Sequence, residues 1–422
     1  MFPPWRRVGR IGPGVITGAS DDDPSGIATY SQTGAAFGYG LLWLALWTLP
    51  LMISVQEMCA RIGMVSGCGL AETMKRRFSS RTILLLTLLL FVANTINIGA
   101  DLGAMAEAAR LILPGPQWAW LVGFAGLTIG LEILVSYRRY VTVLRWLTLA
   151  LFAYVLAAFF TRPDWWEALR HTVLPMGGFG RDEMYMIVAV LGTTISPYLF
   201  FWQASEEVEE EIVAGRTTVE ERAQATPGEL AAMRADVTLG MVVSNLIMFF
   251  IILTTAGTLH RAGITRIDTA AQAASALRPL AGDFAFFLFT LGILGTGLLA
   301  IPVLAGSASY AMAEVFGWPE GLGRRFTEAR GFYLTMALSI GLGLASNFLG
   351  LEPVRFLLFA AVINGLLAPV MLWYIIRLAD DSRVVGPHRS PPGIRITGWA
   401  TLVFMAVAGA VLIVQQVAGL IR

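Results

Sequence analysis

Apolar runs of about 18 residues or more, long enough to cross a hydrocarbon core of about 30 Å, recur from one end of the chain to the other with short polar breaks between them. Read against the charged breaks, they predict eleven helical spans, at about residues 12–36, 40–66, 82–112, 117–136, 140–161, 184–205, 236–259, 283–314, 331–349, 354–377 and 396–420. Such repetition excludes a lone signal peptide or a single anchor. Two spans are interrupted near their middle. The first reads Gly12 Pro13 Gly14, a short apolar stretch, then Ser20 Asp21 Asp22 Asp23 Pro24 Ser25 Gly26, and resumes through Ile27 to Ala36. An intramembrane Asp costs about 2.5–3.5 kcal/mol on insertion scales, so these three carboxylates are expected to face a cavity or an ion rather than lipid. Pro24 removes a backbone donor and clashes with the preceding turn, while Ser25 and Gly26 tolerate non-helical angles. The helix should unwind there. The sixth span carries a matching lesion, Gly192 Thr193 Thr194 Ile195 Ser196 Pro197 Tyr198, with apolar residues on both sides.

An unwound stretch frees carbonyls and aims a half-helix N-terminus into the bilayer, which is tolerated only where it is buried in protein or lines water. Two broken helices separated by four intact ones fit two five-helix halves of inverted topology, with a binding site between the breaks. The expected fold is an all-α membrane protein of the LeuT type in a single transmembrane domain over 1–422. Its first repeat covers about 12–161, its second about 184–377, and one extra span about 396–420.

Composition strengthens this picture. With 56% hydrophobic and 14% charged residues, the chain has more apolar surface than one water-soluble core hides, so a lipid bilayer must cover the rest and the expected location is the cell membrane. A net charge of +1 gives no hint of a nucleic-acid partner. Cys59 and Cys68 lack zinc-site spacing and read as packing residues, and His171, His260 and His388 fall in predicted loops. No nucleophile paired with a base and no phosphate-cradling loop is present, so an enzyme is not expected.

The cationic clusters are Arg6, Arg7 and Arg10; Lys75 to Arg77 with Arg81; Arg138 and Arg139; Arg324, Arg325 and Arg330; and Arg383, Arg389 and Arg395. All fall on one side of the predicted topology, which puts the N-terminus in the cytoplasm and the C-terminus outside. The insertion from Ser205 to Ala235, with its acidic run Glu206 to Glu211 and a second patch at Glu220 and Glu221, reads as a solvated helix pair. Asn97, Glu132 and Asn245 are expected to bond between helices, and Pro302 to kink the eighth span. Asn364, followed by Gly365 in the tenth span, either contacts ion-bound water or packs between helices.

At these residues the chain resembles the NRAMP family of divalent-metal transporters. Gly12 Pro13 Gly14, Asp23 Pro24, Gln32 with Gly34, and Leu41 Leu42 Trp43 through Gln56 to Arg61, Gly63 and Gly67 follow the family in order and spacing. The likeness is good over the first three spans, recognisable at the sixth and weaker beyond. Gln56 and Glu57 within this run are read as part of an inner vestibule. The family signatures Asp-Pro-Gly-Asn and Met-Pro-His stand here as Asp23 Pro24 Ser25 Gly26 and Ser196 Pro197 Tyr198, so the Asn amide and the Met thioether are both replaced.

The resemblance implies a metal site of oxygen alone: the Asp23 carboxylate, the Ser196 hydroxyl and the carbonyls of Ser20 and Thr193. Gly26 stands where the Asn amide is missing, and Asn364 is the tenth-span candidate for completing the site by contacting ion-bound water. Asp22, like Asp21, either adds negative potential or caps the broken helix. Losing soft sulfur disfavours transition metals, and Mg²⁺ keeps part of its water shell in such sites. The pattern resembles the prokaryotic NRAMP-related magnesium transporters, which implies Mg²⁺ and Mn²⁺ as cargo and no resident cofactor.

In proton-coupled relatives the proton route uses the sixth-span His, third-span acids and ninth-span basic residues. Here these positions are Tyr198, then Asn94, Asp101 and Ala104, and residues 332–349 contain no Arg or Lys. A Tyr titrating near 10 is a poor relay at neutral pH, so obligatory proton coupling is not expected. Asp101 is either a buried acid bonded to backbone or Tyr, or a participant in transport. A potential of 100 mV supplies about 4.6 kcal/mol to a divalent ion, enough for accumulation without a coupling ion. The rival readings are a proton-coupled Mn²⁺/Fe²⁺ importer and a LeuT-type organic-solute carrier.

Overall fold

The computed structural model describes residues 12–135, 142–144, 146–161, 163–176, 178–267, 270–349 and 353–421, all in helices and connecting turns without a strand. Arg6, Arg7, Arg10, Arg138 and Arg139, which contribute to the charge argument, lie outside the described residues, as do residues 140, 141 and 145 of the fifth expected span.

Among the described residues, eight helices are long and apolar enough to cross a membrane. The other three expected spans differ for separate reasons. The first is cut in two, into α1 (Pro13–Asp21) and α2 (Pro24–Phe37). The fifth is described only in part, ending in the helix Phe152–Phe160. The ninth, Arg330–Ser346, has 17 residues. The sixth span is likewise two helices, α3 (Arg181–Thr194) and α4 (Pro197–Val213).

Both breaks have the same local cause. Asp22 (φ −86°, ψ 49°) and Ile195 (φ −116°, ψ 57°) leave the helical region, and the next residue, Asp23 or Ser196, is extended. A proline then opens the second half-helix at its first position, where its missing donor removes no helical bond. The eighth span behaves differently: Gly282, at φ 90°, marks where the membrane-crossing part begins, and Pro302 lies inside an unbroken helix that runs to Phe316.

The connections cluster at two ends. At one end Arg77 pairs with Asp381, the Lys75 ammonium donates to the Val315 carbonyl at 2.6 Å, and Arg222 Nε donates to Gly67 at 2.9 Å. Most of the described basic clusters lie here, on connections the positive-inside reading groups together. At the other end Ile267 N–H donates to Gln32 Oε1 at 2.9 Å and the Trp47 indole donates to the Val173 carbonyl at 3.3 Å.

The helix α1 is held from below by Asp236, whose two carboxylate oxygens accept from the N–H groups of Gly12 (3.0 Å) and Gly14 (2.6 Å). Two otherwise orphaned helix donors are thus satisfied, with negative charge at the positive end of the helix dipole. α1 then crosses the seventh span (Pro227–Thr255) backbone to backbone: a Cβ on Gly18 would meet the Gly240 carbonyl, and one on Gly14 would lie 2.6 Å from Val237 Cα. Small residues at a membrane crossing allow this approach.

Three expectations are corrected. The acidic run Glu206 to Glu211 is not a wet face: α4 continues through it, and Glu206, Glu207, Glu209 and Glu211 are buried. Glu209 Oε1 accepts from the Tyr310 hydroxyl (2.8 Å) and Leu322 N–H (3.0 Å), Glu207 accepts from Gln203 (3.1 Å), and Glu211 pairs with Arg216. Only Glu220 and Glu221 are exposed as expected. Of the histidines, His388 lies in a loop, but His171 sits in the helix Trp165–Val173. His260 ends the turn that extends the seventh span, with Nδ1 2.8 Å from the Ala35 carbonyl. Asn245 bonds between helices as expected, accepting from the Thr48 hydroxyl at 2.8 Å, but both Glu132 carboxylate oxygens are buried without a partner, as is Asn97 Oδ1.

Candidate functional site

At the first break the chain presents the C-terminal carbonyls of α1 and the N-terminal N–H groups of α2 to the same volume. Asp23 caps α2: its Oδ1 accepts from Gly26 N–H at 2.6 Å. Asp101, on the third span (Ser80–Ile112), takes the next donor, accepting from Ser25 N–H at 3.1 Å. The capping role that was open to Asp21 and Asp22 is therefore filled by Asp23 and Asp101. Asp21 Oδ2 instead accepts from the Ser244 hydroxyl at 2.7 Å.

At the second break the Ser196 hydroxyl is within 2.6 Å of the Gly192 carbonyl and 2.8 Å of the Thr193 carbonyl, and donates to this pair. Its oxygen lone pairs stay unused. The Tyr198 hydroxyl reaches across and donates to the Ser20 carbonyl at 2.9 Å, joining the two breaks directly. Gly26 sits at the meeting point. A Cβ there would lie 3.1 Å from the Asp21 carbonyl, 3.3 Å from Asp23 Oδ1 and 3.3 Å from Thr193 Oγ1, so the two breaks approach closely at this residue and a side chain would crowd them.

Two further spans close the junction. Gly192 packs on the tenth span (Pro353–Asp380) so tightly that a Cβ would strike the Ala361 carbonyl and lie 2.6 Å from Gly365 N. Asn364 is adjacent in sequence to that contact. Gly297 of the eighth span approaches Pro24, whose Cγ would lie 3.2 Å from an added Cβ. The structure thus brings Ser20, Asp23, Gly26, Thr193 and Ser196 to one place and sets Asn364 beside the Gly192 contact.

Burial decides the state of the site. Ser20, Asp21, Asp22, Asp23, Asp101, Thr193, Ser196, Tyr198 and Asn364 are each at most 3% exposed, so the junction is closed from both ends of the molecule. Asp21 Oδ1, both oxygens of Asp22, Asp23 Oδ2, Asp101 Oδ2 and both polar atoms of Asn364 are buried without a protein partner. Among the described residues no Lys, Arg or His pairs with any of these carboxylates. Buried carboxyls of this density without partners are costly as anions, and to stay charged they need a counter-charge, water or both. No group of three His, Cys, Asp or Glu side chains among the described residues is arranged to hold a metal by itself. A cation here would be met by one or two carboxylates, carbonyl and hydroxyl oxygens, and water.

A family model described as natural resistance-associated macrophage protein-like (Nramp) matches residues 14–415 of the chain. The chain belongs to the Nramp family. Among its relatives, the divalent metal cation transporter MntH of Aeromonas hydrophila subsp. hydrophila is 25% identical over 419 residues, covering 96% of each chain. The protein of the same description from Klebsiella pneumoniae is 25% identical over 421 residues, covering 98% of this chain and 95% of the relative. A crystal structure of the Eremococcus coleocola manganese transporter, bound to an aromatic bis-isothiourea compound, superposes with a TM-score of 0.76 at 17% identity, covering 99% of this chain and 88% of that one. A nucleobase-cation-symport-1 family transporter in a closed conformation gives a TM-score of 0.60 at 14% identity over 96% of this chain and 93% of that one. The Nramp chain therefore has the LeuT-type fold, in a multi-pass membrane protein.

Sequence reasoning found both breaks of this Nramp chain but missed three supporting residues. Asp236 and Ser244 are polar residues at the start of and within the seventh span, and only the packing of α1 against that span gives them a role. Tyr198 was read for the proton chemistry it lacks, not for the carbonyl it holds. Gln56 and Glu57 are buried rather than lining an open vestibule. Glu57 pairs with Arg61 and accepts from the Ser390 hydroxyl at 3.1 Å, and Arg61 also donates to the His388 carbonyl at 3.1 Å.

Proposed function

We propose that this Nramp chain carries a divalent metal cation across the membrane at the junction of its two broken helices, with Mg²⁺ and Mn²⁺ as cargo held through oxygen atoms and retained water. The observation that supports this most is the cluster of buried, unpartnered carboxylate oxygens at the meeting point of the breaks, with no basic side chain among the described residues to neutralise it. Hard oxygen donors suit Mg²⁺ and Mn²⁺, and Mg²⁺ is usually bound through one or two carboxylates with several waters retained. The relatives named divalent metal cation transporters and a manganese transporter support the cargo class. In this reading Asp23 Oδ2 is the charged ligand, with the Ser196 hydroxyl and the Thr193 carbonyl as neutral partners, and the Ser20 carbonyl, which already holds the Tyr198 hydroxyl, is reached through a retained water. Gly26 leaves room for water, Asp22 supplies negative potential, and Asn364 contacts an ion-bound water.

Transport is driven by the membrane potential, inward, with the N-terminus cytoplasmic and the C-terminus outside. Two features support the absence of obligatory proton coupling. The Tyr198 hydroxyl is engaged on a carbonyl and Asp101 on a backbone N–H, so neither offers a free relay along its bonded edge. In liposomes holding the purified protein and a pH dye, Mg²⁺ and Mn²⁺ enter under an imposed negative interior potential without acidifying the lumen. Metal-dependent acidification would establish the proton-coupled alternative, for which the unpartnered Asp101 Oδ2 is the favouring observation.

A further inference from the structure

The bond from the Tyr198 hydroxyl to the Ser20 carbonyl, 2.9 Å long, spans 178 positions of sequence and ties the second half of one broken helix to the first half of the other. Tyr198 is 1% exposed and among the largest fully buried side chains, so its ring is fixed by packing. A backbone carbonyl has two lone pairs, and a phenol proton takes one of them. Ser20 lies in the last turn of α1 at the junction, where Asp22, the Oδ2 of Asp23 and Asn364 are all without partners. A cation entering the junction thus finds carboxylate oxygens free and this carbonyl already engaged.

We propose that Tyr198 is the positioning residue that sets ion selectivity: by holding the Ser20 carbonyl, it stops that oxygen from replacing one of the ion's waters. The inference rests on the metal-carrying reading above. Mg²⁺ gives up water reluctantly and tolerates a carbonyl it cannot reach. Ca²⁺ takes six to eight oxygens in flexible geometry and gains from each carbonyl that becomes available. The phenol therefore disfavours Ca²⁺ relative to Mg²⁺ without touching the ion.

The test is calorimetric binding of Mg²⁺ and Ca²⁺ to purified protein, with the ratio of dissociation constants as readout. In Tyr198→Phe, and with 4-fluorophenylalanine at position 198 to keep the ring's size, the ratio moves toward Ca²⁺ by about tenfold at most, the upper scale of one neutral hydrogen bond. With 4-aminophenylalanine, whose amine donates in place of the hydroxyl, the ratio returns to that of the wild type, which a purely structural role of the ring does not predict. The inference is overturned if the Phe and fluoro variants bind Mg²⁺ with an unmoved ratio, or if either keeps the wild-type melting temperature but loses binding of both ions, which would make the phenol a direct ligand. Wild-type protein that binds neither ion overturns the metal reading itself.

Discussion

Asp23 performs two tasks with one carboxylate. Oδ1 caps α2 through Gly26 N–H, and Oδ2 is buried without a partner at the junction. The two tasks separate by mutation. Asp23→Asn keeps an acceptor for the cap but loses the charge, so the protein should melt near the wild-type temperature while Mg²⁺ flux into liposomes is lost. Asp23→Ala loses the cap as well and should be destabilised further, by about 0.5–2 kcal/mol. Equal flux in Asp23→Asn and wild type would remove Asp23 from the ligand set. That Asp23 matters was legible in the sequence, because an acid followed by proline inside an apolar run leaves few structural alternatives. Its division of labour with Asp21, Asp22 and Asp101 was not. Which carboxylate caps and which stays free depends on Ser244 and Ser25 donating to particular oxygens, and on a third-span residue arriving 76 positions later.

The broken helix α1 is short, nine residues, and cannot hold itself by its own hydrogen bonds. It is fixed by Asp236 at its N-terminus and by glycine contacts along its side. Asp236→Ala leaves two buried-side N–H groups without an acceptor and should lower stability by about 1–2 kcal/mol, read as a drop in melting temperature. Gly18→Val drives a side chain into the Gly240 carbonyl and should abolish folded, monodisperse protein. An unchanged melting profile in both would show that α1 is not anchored there. At this scale the breaks were readable because proline and non-helical residues act locally. The sixth-span continuation was not: a run of glutamates ordinarily marks a solvated face. Here Tyr310 and Leu322, more than 100 positions away, supply the donors that let Glu209 be buried.

Across the whole molecule the connections sort into two ends, and the junction lies between them, closed to both. If the junction is the cargo site proposed above, this arrangement is occluded, and transport requires each end to open in turn. The connections joined by Arg61, His388, Glu57 and Ser390 tie the second span to the linker before the last one, and are placed to resist opening at the basic end. The membrane orientation is testable with single cysteines. The native thiols are buried, and the Cys68 thiol is pushed up to about 12 by burial, so both should stay unlabelled by maleimide at neutral pH. Glu220→Cys and Ala262→Cys lie exposed at opposite ends. A membrane-impermeant maleimide added outside intact cells should label Ala262→Cys alone. Labelling of Glu220→Cys alone would invert the topology.

The proposed transport requires an ion to sit where the two breaks meet. A crystal soaked in Mn²⁺ and measured at a wavelength where manganese scatters anomalously tests this most directly. A single peak between Asp23 and Ser196 is expected, within about 2.0–2.6 Å of Asp23 or one water further away. A peak elsewhere, or none at saturating Mn²⁺ in a crystal that retains this closed junction, would contradict it.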